Sequence, residues 1–417
     1  MKYSINIWLV LALVLLVQIG LAKEIRVSPT GNLKSIKEAI DLAQDGDTIL
    51  LDGGVYKEGQ LILEKSITLI GKNGATIDGQ GQYETLTVQA DHVTIQGITF
   101  QRVGSNMLKD NAAIRIVKSK HCVISNNTLL DTYFGVYLEN SDSCTVSNNF
   151  VRGEAVRETT SGNAIHLWYC KAATVKDNDV AGHRDGIYFE FVENSQIIGN
   201  HSEGNLRYGL HFMFSNDNQY IGNQFVRNGA GVAVMYSKRI EMTRNVFEDN
   251  QGPAAYGLLL KDITDSRIEK NIFHKNTTGI LAEGSNRLEL ISNDFTRNGW
   301  AAKIMGSCEQ LTIKENNFMG NTFEISTSSR NMESHVVEGN FWSSYSGYDL
   351  NKDGFGDVPH RPVRLFSSML EQVPTAIVLI RSLFIDMLEL AEKVTPSLTP
   401  ISLVDSNPLM KVNQWQE

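Results

Sequence analysis

An asparagine that returns with a base period of 22 or 23 residues restricts this chain to very few folds. The motif is an apolar residue, two others, Asn, one other and a second apolar residue. Its Asn falls at 127, 149, 178, 200, 223, 245, 271, 293, 316 and 340. A period of this size marks a solenoid, in which each repeat covers only its neighbours. The Leu-x-x-Leu-x-Leu framework of leucine-rich repeats is absent. Each repeat instead carries two short alternating segments, one around the Asn and one starting on a small residue, as in Gly135-Val136-Tyr137-Leu138 and Gly257-Leu258-Leu259-Leu260. Short strands joined by Asn and Gly turns describe an all-β fold, a right-handed parallel β-helix with rungs of about 22 residues. The Asn residues would stack as a ladder at one corner. The two long intervals, 149 to 178 and 245 to 271, place loops at 151–161 and 251–256, where a solenoid carries specificity.

Side chains of a strand alternate between its faces. Counted from the small residue, the inward pairs Val136/Leu138, Ile165/Leu167, Ile187/Phe189, Leu210/Phe212, Val232/Val234 and Leu258/Leu260 are all apolar. The outward positions gather His166, Trp168, Tyr188, Glu190, His211, Met213 and Met235 into one exterior patch, since neighbouring rungs lie ~4.8 Å apart. An imidazole beside thioethers is a donor set for a soft metal, Cu(I) above all. His211, Met213 and Met235 are therefore the first candidate ligands, with His166 and Glu190 behind them and Trp168 as shield or docking residue. Trp, Met and Tyr are equally the residues of protein interfaces, so metal ligation and partner docking both stand.

The ends of the chain differ from its repeats. Residues 1–22 read as a secretory signal: Lys2, an apolar run from Ile7 to Ile19, then Gly20-Leu21-Ala22. Over 23–59 the pattern is strand, amphipathic helix (Leu33, Ile36, Ile40 and Ala43 on one face) and strand, expected as a cap on the β-helix of 60–362. At the far end Asp349, Asn351, Asp353, Gly354 and Asp357 match positions 1, 3, 5, 6 and 9 of a calcium loop, but position 12 is His360. The alternative is a polar turn closing the solenoid. Within 363–417, Pro374 to Val394 has the apolar face of one amphipathic helix, including Phe384 and Met387, interrupted by Arg381, Asp386 and Glu389 and so no membrane span. It suits a cap, a docking tail, or both. Cys122 and Cys144 share a column on adjacent rungs, as a disulfide or as stacked thiols, while Cys170 and Cys308 lie too far apart to bridge.

Net charge is −9 with scattered Lys and Arg, which argues against a nucleic-acid surface. Parallel β-helices are often carbohydrate-active, and a lyase or epimerase needs acid and base groups on a groove. Gly182-His183-Arg184-Asp185-Gly186 with Glu190 is the best such candidate. No paired-carboxylate signature recurs on adjacent rungs, and the patch neighbours are Met and Trp.

Tyr208-Gly209-Leu210-His211-Phe212-Met213-Phe214-Ser215, followed one rung later by Gly231-Val232-Ala233-Val234-Met235-Tyr236-Ser237, resembles the NosD family of nitrous oxide reductase maturation proteins. So do Asp185-Gly186-Ile187-Tyr188 and the Trp342…Gly347-Tyr348-Asp349…Asp353-Gly354 terminus. The resemblance implies an exported, periplasmic, non-enzymatic β-helix that assembles with an ABC-type ATPase and permease. It also implies cooperation with a copper-chaperone lipoprotein in supplying copper to apo nitrous oxide reductase. On that view the C-terminal helix, with Phe384 and Met387, grips the permease at the membrane.

Overall fold

The structure, a computed structural model, describes residues 22–105, 109–328, 334–395 and 403–415. The expected signal segment lies, but for Ala22, outside the described residues. Among these residues the strands form three parallel sheets of 14, 13 and 12 strands, each strand pairing with its equivalents one turn before and after. This is the parallel β-helix that the repeat predicts. Each rung holds three strands where two were expected, because the Asn motif straddles a corner. Thr145–Ser147 precedes Asn149 in the 14-stranded sheet, and Phe150–Arg152 follows it in the 13-stranded one. The longer segments, such as Tyr208–Met213, form the 12-stranded sheet. Their small residue is a steric need: a Cβ on Gly209 would sit 2.8 Å from Asn228 Nδ2 and 2.9 Å from the Gly231 carbonyl.

Two polar ladders run the length of the corners. In the first, Asn223 donates from its backbone N–H and its Nδ2 to Asn245 Oδ1, both at 2.9 Å, and from Nδ2 to the Ile197 carbonyl at 2.8 Å. The pattern repeats from Asn127 to Asn340, so buried amides that would otherwise each cost a desolvation penalty are satisfied. A second ladder five residues on, Asn205, Asn228, Asn250, Asn276, Asn298 and Asn321, does the same. Between them Phe225, Phe247, Phe273, Phe295, Phe318 and Trp342 stack inside the coil, with centroids 4.1–5.5 Å apart. Each such buried ring contributes roughly 1.5–3 kcal/mol by leaving water.

Strand pairing begins at Glu24–Val27 against Thr48–Leu51, so the segment 23–59 already supplies strands to the coil. Its helix, Ile36–Leu42, buries Ile36, Ala39 and Ile40. Glu58 accepts the N–H groups of Ile36 and Lys37 at 2.7 and 3.0 Å, placing a carboxylate at the positive end of the helix. Lys65 Nζ donates to the Ile40, Asp41 and Ala43 carbonyls at the other end.

The tail is not one helix over Pro374–Val394. It folds as Leu365–Gln372, a 3₁₀ segment Pro374–Leu379, and Leu383–Val394. Ser382, extended at φ −91° and ψ 150°, separates the last two, and Pro374 opens the 3₁₀ turn because it needs no N–H partner there. Phe366, Leu370 and Ile385 pack this hairpin against Phe323 and Trp300 of the last rungs. The chain then returns: buried Asp405 accepts from Asn340 N at 2.9 Å, Asn340 Nδ2 at 3.1 Å and Trp342 Nε1 at 3.0 Å. It ends the first asparagine ladder.

All four cysteines are buried thiols. Cys122 and Cys144 stack in adjacent rungs, each pointing its sulfur at backbone carbonyls, and the Cys144 thiol is pushed up first by Cys122 beside it and then by burial.

Candidate functional site

Strand register on the outer face of the 12-stranded sheet sets the site. One column runs Tyr137, His166, Tyr188, His211 and Ala233; its neighbour runs Glu139, Trp168, Glu190, Met213 and Met235. The patch read from the repeats is therefore contiguous, but it is not one ligand cage. His166 and His211 flank Tyr188, with ring centroids 4.7 and 5.0 Å from it. Two rungs separate them, ~9.6 Å, which is too far for both imidazoles to hold one ion at normal bond lengths. His211 and Met213 share a strand, and Met213 lies between Glu190 and Met235 in its column.

Both histidines face outward yet are covered, His166 to 9% exposure and His211 to 5%. The His166 ring packs among Phe134, Tyr137 and Tyr188. That burial, with the Arg184 and Arg115 guanidiniums, holds it neutral by pushing its pKa down to about 3. Over His211 sits Tyr208, whose centroid is 4.8 Å away. The Tyr208 hydroxyl lies 3.4 Å from that of Tyr256, in the loop after Asn250. Arg207 stacks over Tyr208 and reaches Glu158 of the other long loop at 3.8 Å. The two insertions thus reach the ring of residues around the histidines. Repeat alignment alone leaves this out, since it ignores what the loops do.

The nitrogens left over are the chemically informative part. Among the described residues neither ring nitrogen of His211 has a hydrogen-bond partner, and nor does Nε2 of His166. Its Nδ1 meets Asn163 Nδ2 at 3.1 Å. The fully buried Asp185 carboxylate lies 4.0 Å from His211 Nδ1 and accepts the Tyr208 N–H at 3.3 Å. Buried polar atoms are normally paired, so unpaired imidazole nitrogens beside two half-buried thioethers are in the state a soft-metal donor requires. Among the described residues no three His, Cys, Asp or Glu side chains converge. A copper ion here would depend on imidazole and thioether donors, and the residues present fit that chemistry.

The other sequence candidates resolve differently. His183 heads the second ladder: its N–H donates to Asn205 Oδ1 at 3.1 Å, and its ring lies 3.0 Å from the Ala181 carbonyl and 3.1 Å from the Thr132 hydroxyl. Both ring nitrogens are occupied, and Asp185 is not exposed at all, so the Gly182–Gly186 stretch presents no open acid–base pair. In the 349–357 loop, Asp349 accepts the Lys352 and Gly354 N–H groups at 2.6 and 2.9 Å. Asn351 and Asp353 accept from Asp353 and Phe355, and Asp357 from Leu350. His360 turns away to Glu324 at 2.9 Å. The loop's own amides thus hold these side chains in place. On the tail hairpin Phe384 and Met387 are more than half exposed, with Leu383, Leu390 and Val394 beside them. No described helix is long and apolar enough to cross a membrane.

A family model described as "Periplasmic copper-binding protein (NosD)" matches residues 40–156 and 151–347. A protein of Stutzerimonas stutzeri, named probable ABC transporter binding protein NosD, is 32% identical over 378 residues, 87% of this chain and 86% of its own. A protein of the same name from Pseudomonas aeruginosa is 31% identical over 391 residues, 90% and 91% of the two chains. Among solved structures, the catalytic unit of a Streptomyces thermodiastaticus α-1,3-glucanase superposes with a TM-score of 0.62 at 15% identity, covering 78% of this chain and 69% of that one. The Streptococcus pneumoniae adhesin PfbA gives 0.59 at 14%, covering 71% and 89%. An enzyme and an adhesin so distant in sequence share the fold alone. The family match and the two relatives agree: this chain belongs to the NosD family of periplasmic copper-binding proteins.

Proposed function

We propose that this protein is an exported, non-catalytic accessory of nitrous oxide reductase maturation. It works with an ABC-type ATPase and permease, takes Cu(I) from a copper-chaperone lipoprotein, and passes it to the apo-enzyme. The observation that carries the copper step is the unpaired His211 imidazole next to Met213 and Met235. An imidazole and two thioethers bind Cu(I) in preference to hard cations, and so few donors leave the ion free to move on. His166 and Glu190 flank this trio, and Trp168, register partner of Glu190, borders it. The relatives' names supply the transporter association, and the exposed apolar face at Phe384 and Met387 offers the docking surface.

The test is a Cu(I) titration of the whole mature protein against a competing chelator. Wild type should retain one Cu(I), and a His211→Ala, Met213→Ala double variant should lose more than about tenfold in affinity, the scale on which ligand-shell changes act. Equal retention in both would remove these two residues from the ligand set. Met235→Ala alone should weaken binding less, because one thioether remains.

A further inference from the structure

A second pair of imidazoles lies outside that patch, at the turn leading from the 12-stranded into the 14-stranded sheet. His92 and His121 occupy the same place on consecutive rungs, just before the strands Thr94–Gln96 and Val123–Ser125 that pair in register. Their rings stack with centroids 4.9 Å apart and planes 15° from parallel. Both residues are exposed. Their backbones are fixed: the His92 N–H donates to the Lys120 carbonyl at 2.8 Å and the His121 N–H to that of Asp142 at 3.1 Å. Both stand in the left-handed region, at φ 58° and 57°. Later rungs place Ser143, Ala172, Asn194 and Asp217 there in the same conformation, so the turn itself does not call for histidine. Within the described residues neither ring makes a hydrogen bond or ion pair. The neighbouring column runs Asp91, Lys120, Asp142, with Asp91 Oδ1 accepting the Lys120 N–H at 2.7 Å.

We propose that His92 and His121 form a surface site for a borderline divalent transition-metal cation, of the Zn(II), Ni(II) or Cu(II) class. Imidazole suits these ions. With metal–nitrogen bonds of about 2.0–2.1 Å, two donors of one ion stand at most about 4.2 Å apart. Imidazole nitrogens coordinate along lone pairs in the ring plane, so the near-parallel rings, with centroids 4.9 Å apart, close on an ion by turning out of the stack about their side-chain torsions while the rungs stay fixed. No third His, Cys, Asp or Glu converges among the described residues. The protein therefore fills two positions and leaves the others to water or to a partner's ligand, which makes the site exchangeable. It shares no residue with the His211 trio and takes a different class of ion.

The test uses the full mature protein and Zn(II), titrated calorimetrically into wild type, His92→Asn, His121→Asn and the His211→Ala, Met213→Ala variant. Asparagine tolerates the left-handed backbone, and unchanged thermal melting checks that each variant folds. One Zn(II) should bind to wild type and to the His211/Met213 variant alike, and each single histidine change should weaken it by more than about tenfold. Cu(II) added to wild type should show two-nitrogen coupling in its paramagnetic resonance spectrum, reduced to one in either variant. Zinc binding that survives both substitutions, or no zinc binding to wild type, would overturn the site. Loss only in the His211/Met213 variant would also overturn it, by assigning zinc to the patch.

Discussion

The carbonyl of Ala181 can only accept, so His183 donates to it from Nδ1–H, and Nε2 must then accept the Thr132 hydroxyl. That fixes a neutral ring in the interior. Burial pushes its pKa down to about 4, aided by the charge of Arg152. Above pH 6.5 the folded and unfolded chains both hold a neutral imidazole, and the group adds no pH dependence. Below 6.5 the unfolded chain takes a proton that the fold refuses. Stability therefore falls towards pH 4 by up to about 1.4 kcal/mol per pH unit and levels off below it. A His183→Gln variant, which can still donate and accept, should flatten that slope. Urea midpoints measured between pH 7 and 4 would show it, and an unchanged slope would mean the proton is taken up elsewhere. The residue scale is also where the sequence was hardest to read. Gly182-His183-Arg184-Asp185 looked like acid–base chemistry because nothing local reveals that His183 stands five residues after Asn178, in the column of a second ladder. The signal was present as Asn at 205, 228, 250, 276, 298 and 321, and it becomes visible only once the first ladder fixes the period.

At the scale of elements, strands were legible and the tail was not. Alternation assigns inward and outward faces because the side-chain period in a strand is fixed, and every inward pair named from the repeats is buried. Burial of His166 and His211 comes instead from Phe134, Tyr137, Tyr188 and Tyr208 on their own and neighbouring strands, with Tyr256 of an inserted loop behind Tyr208. No strand-by-strand reading contains that. The tail's apolar residues looked like one helical face, yet Ile385 faces the coil while Phe384 and Met387 face out. This separation allows a clean test of docking. A Leu383→Ser, Phe384→Ser, Met387→Ser variant removes exposed side chains that contribute little to the fold. Its melting temperature should stay near wild type. Burying these side chains against a partner would contribute roughly 1.5–3 kcal/mol each, so binding to membrane vesicles carrying the ABC-type permease and ATPase should weaken by more than about a hundredfold. Undiminished co-sedimentation would place the docking surface elsewhere on the molecule.

For the whole molecule the question is how far one rung feels another. A solenoid is close to one-dimensional, with each turn stabilised by its neighbours, so an open end should fray and an interior turn should not notice. Here the C-terminal end is closed from a distance of 65 residues in sequence, because Asp405 takes the donors that Asn340 would have given to a further Asn. It also accepts from Gly339 N at 3.1 Å and from Trp342 Nε1 at 3.0 Å. An Asp405→Ala change leaves those donors on the last rung unpaired, at about 1–3 kcal/mol each, and unhooks the returning segment from the last rungs, on which the helical hairpin packs. Hydrogen exchange should then speed up in Thr312–Lys314, Phe323–Thr327 and the hairpin. Val123–Ser125 and Thr128–Leu130, many rungs away, should exchange as in wild type. Equal acceleration along the coil would instead mean that the ladders couple all rungs into one cooperative unit. In that case the ladder, rather than the stacked rings, would be the main carrier of stability between turns.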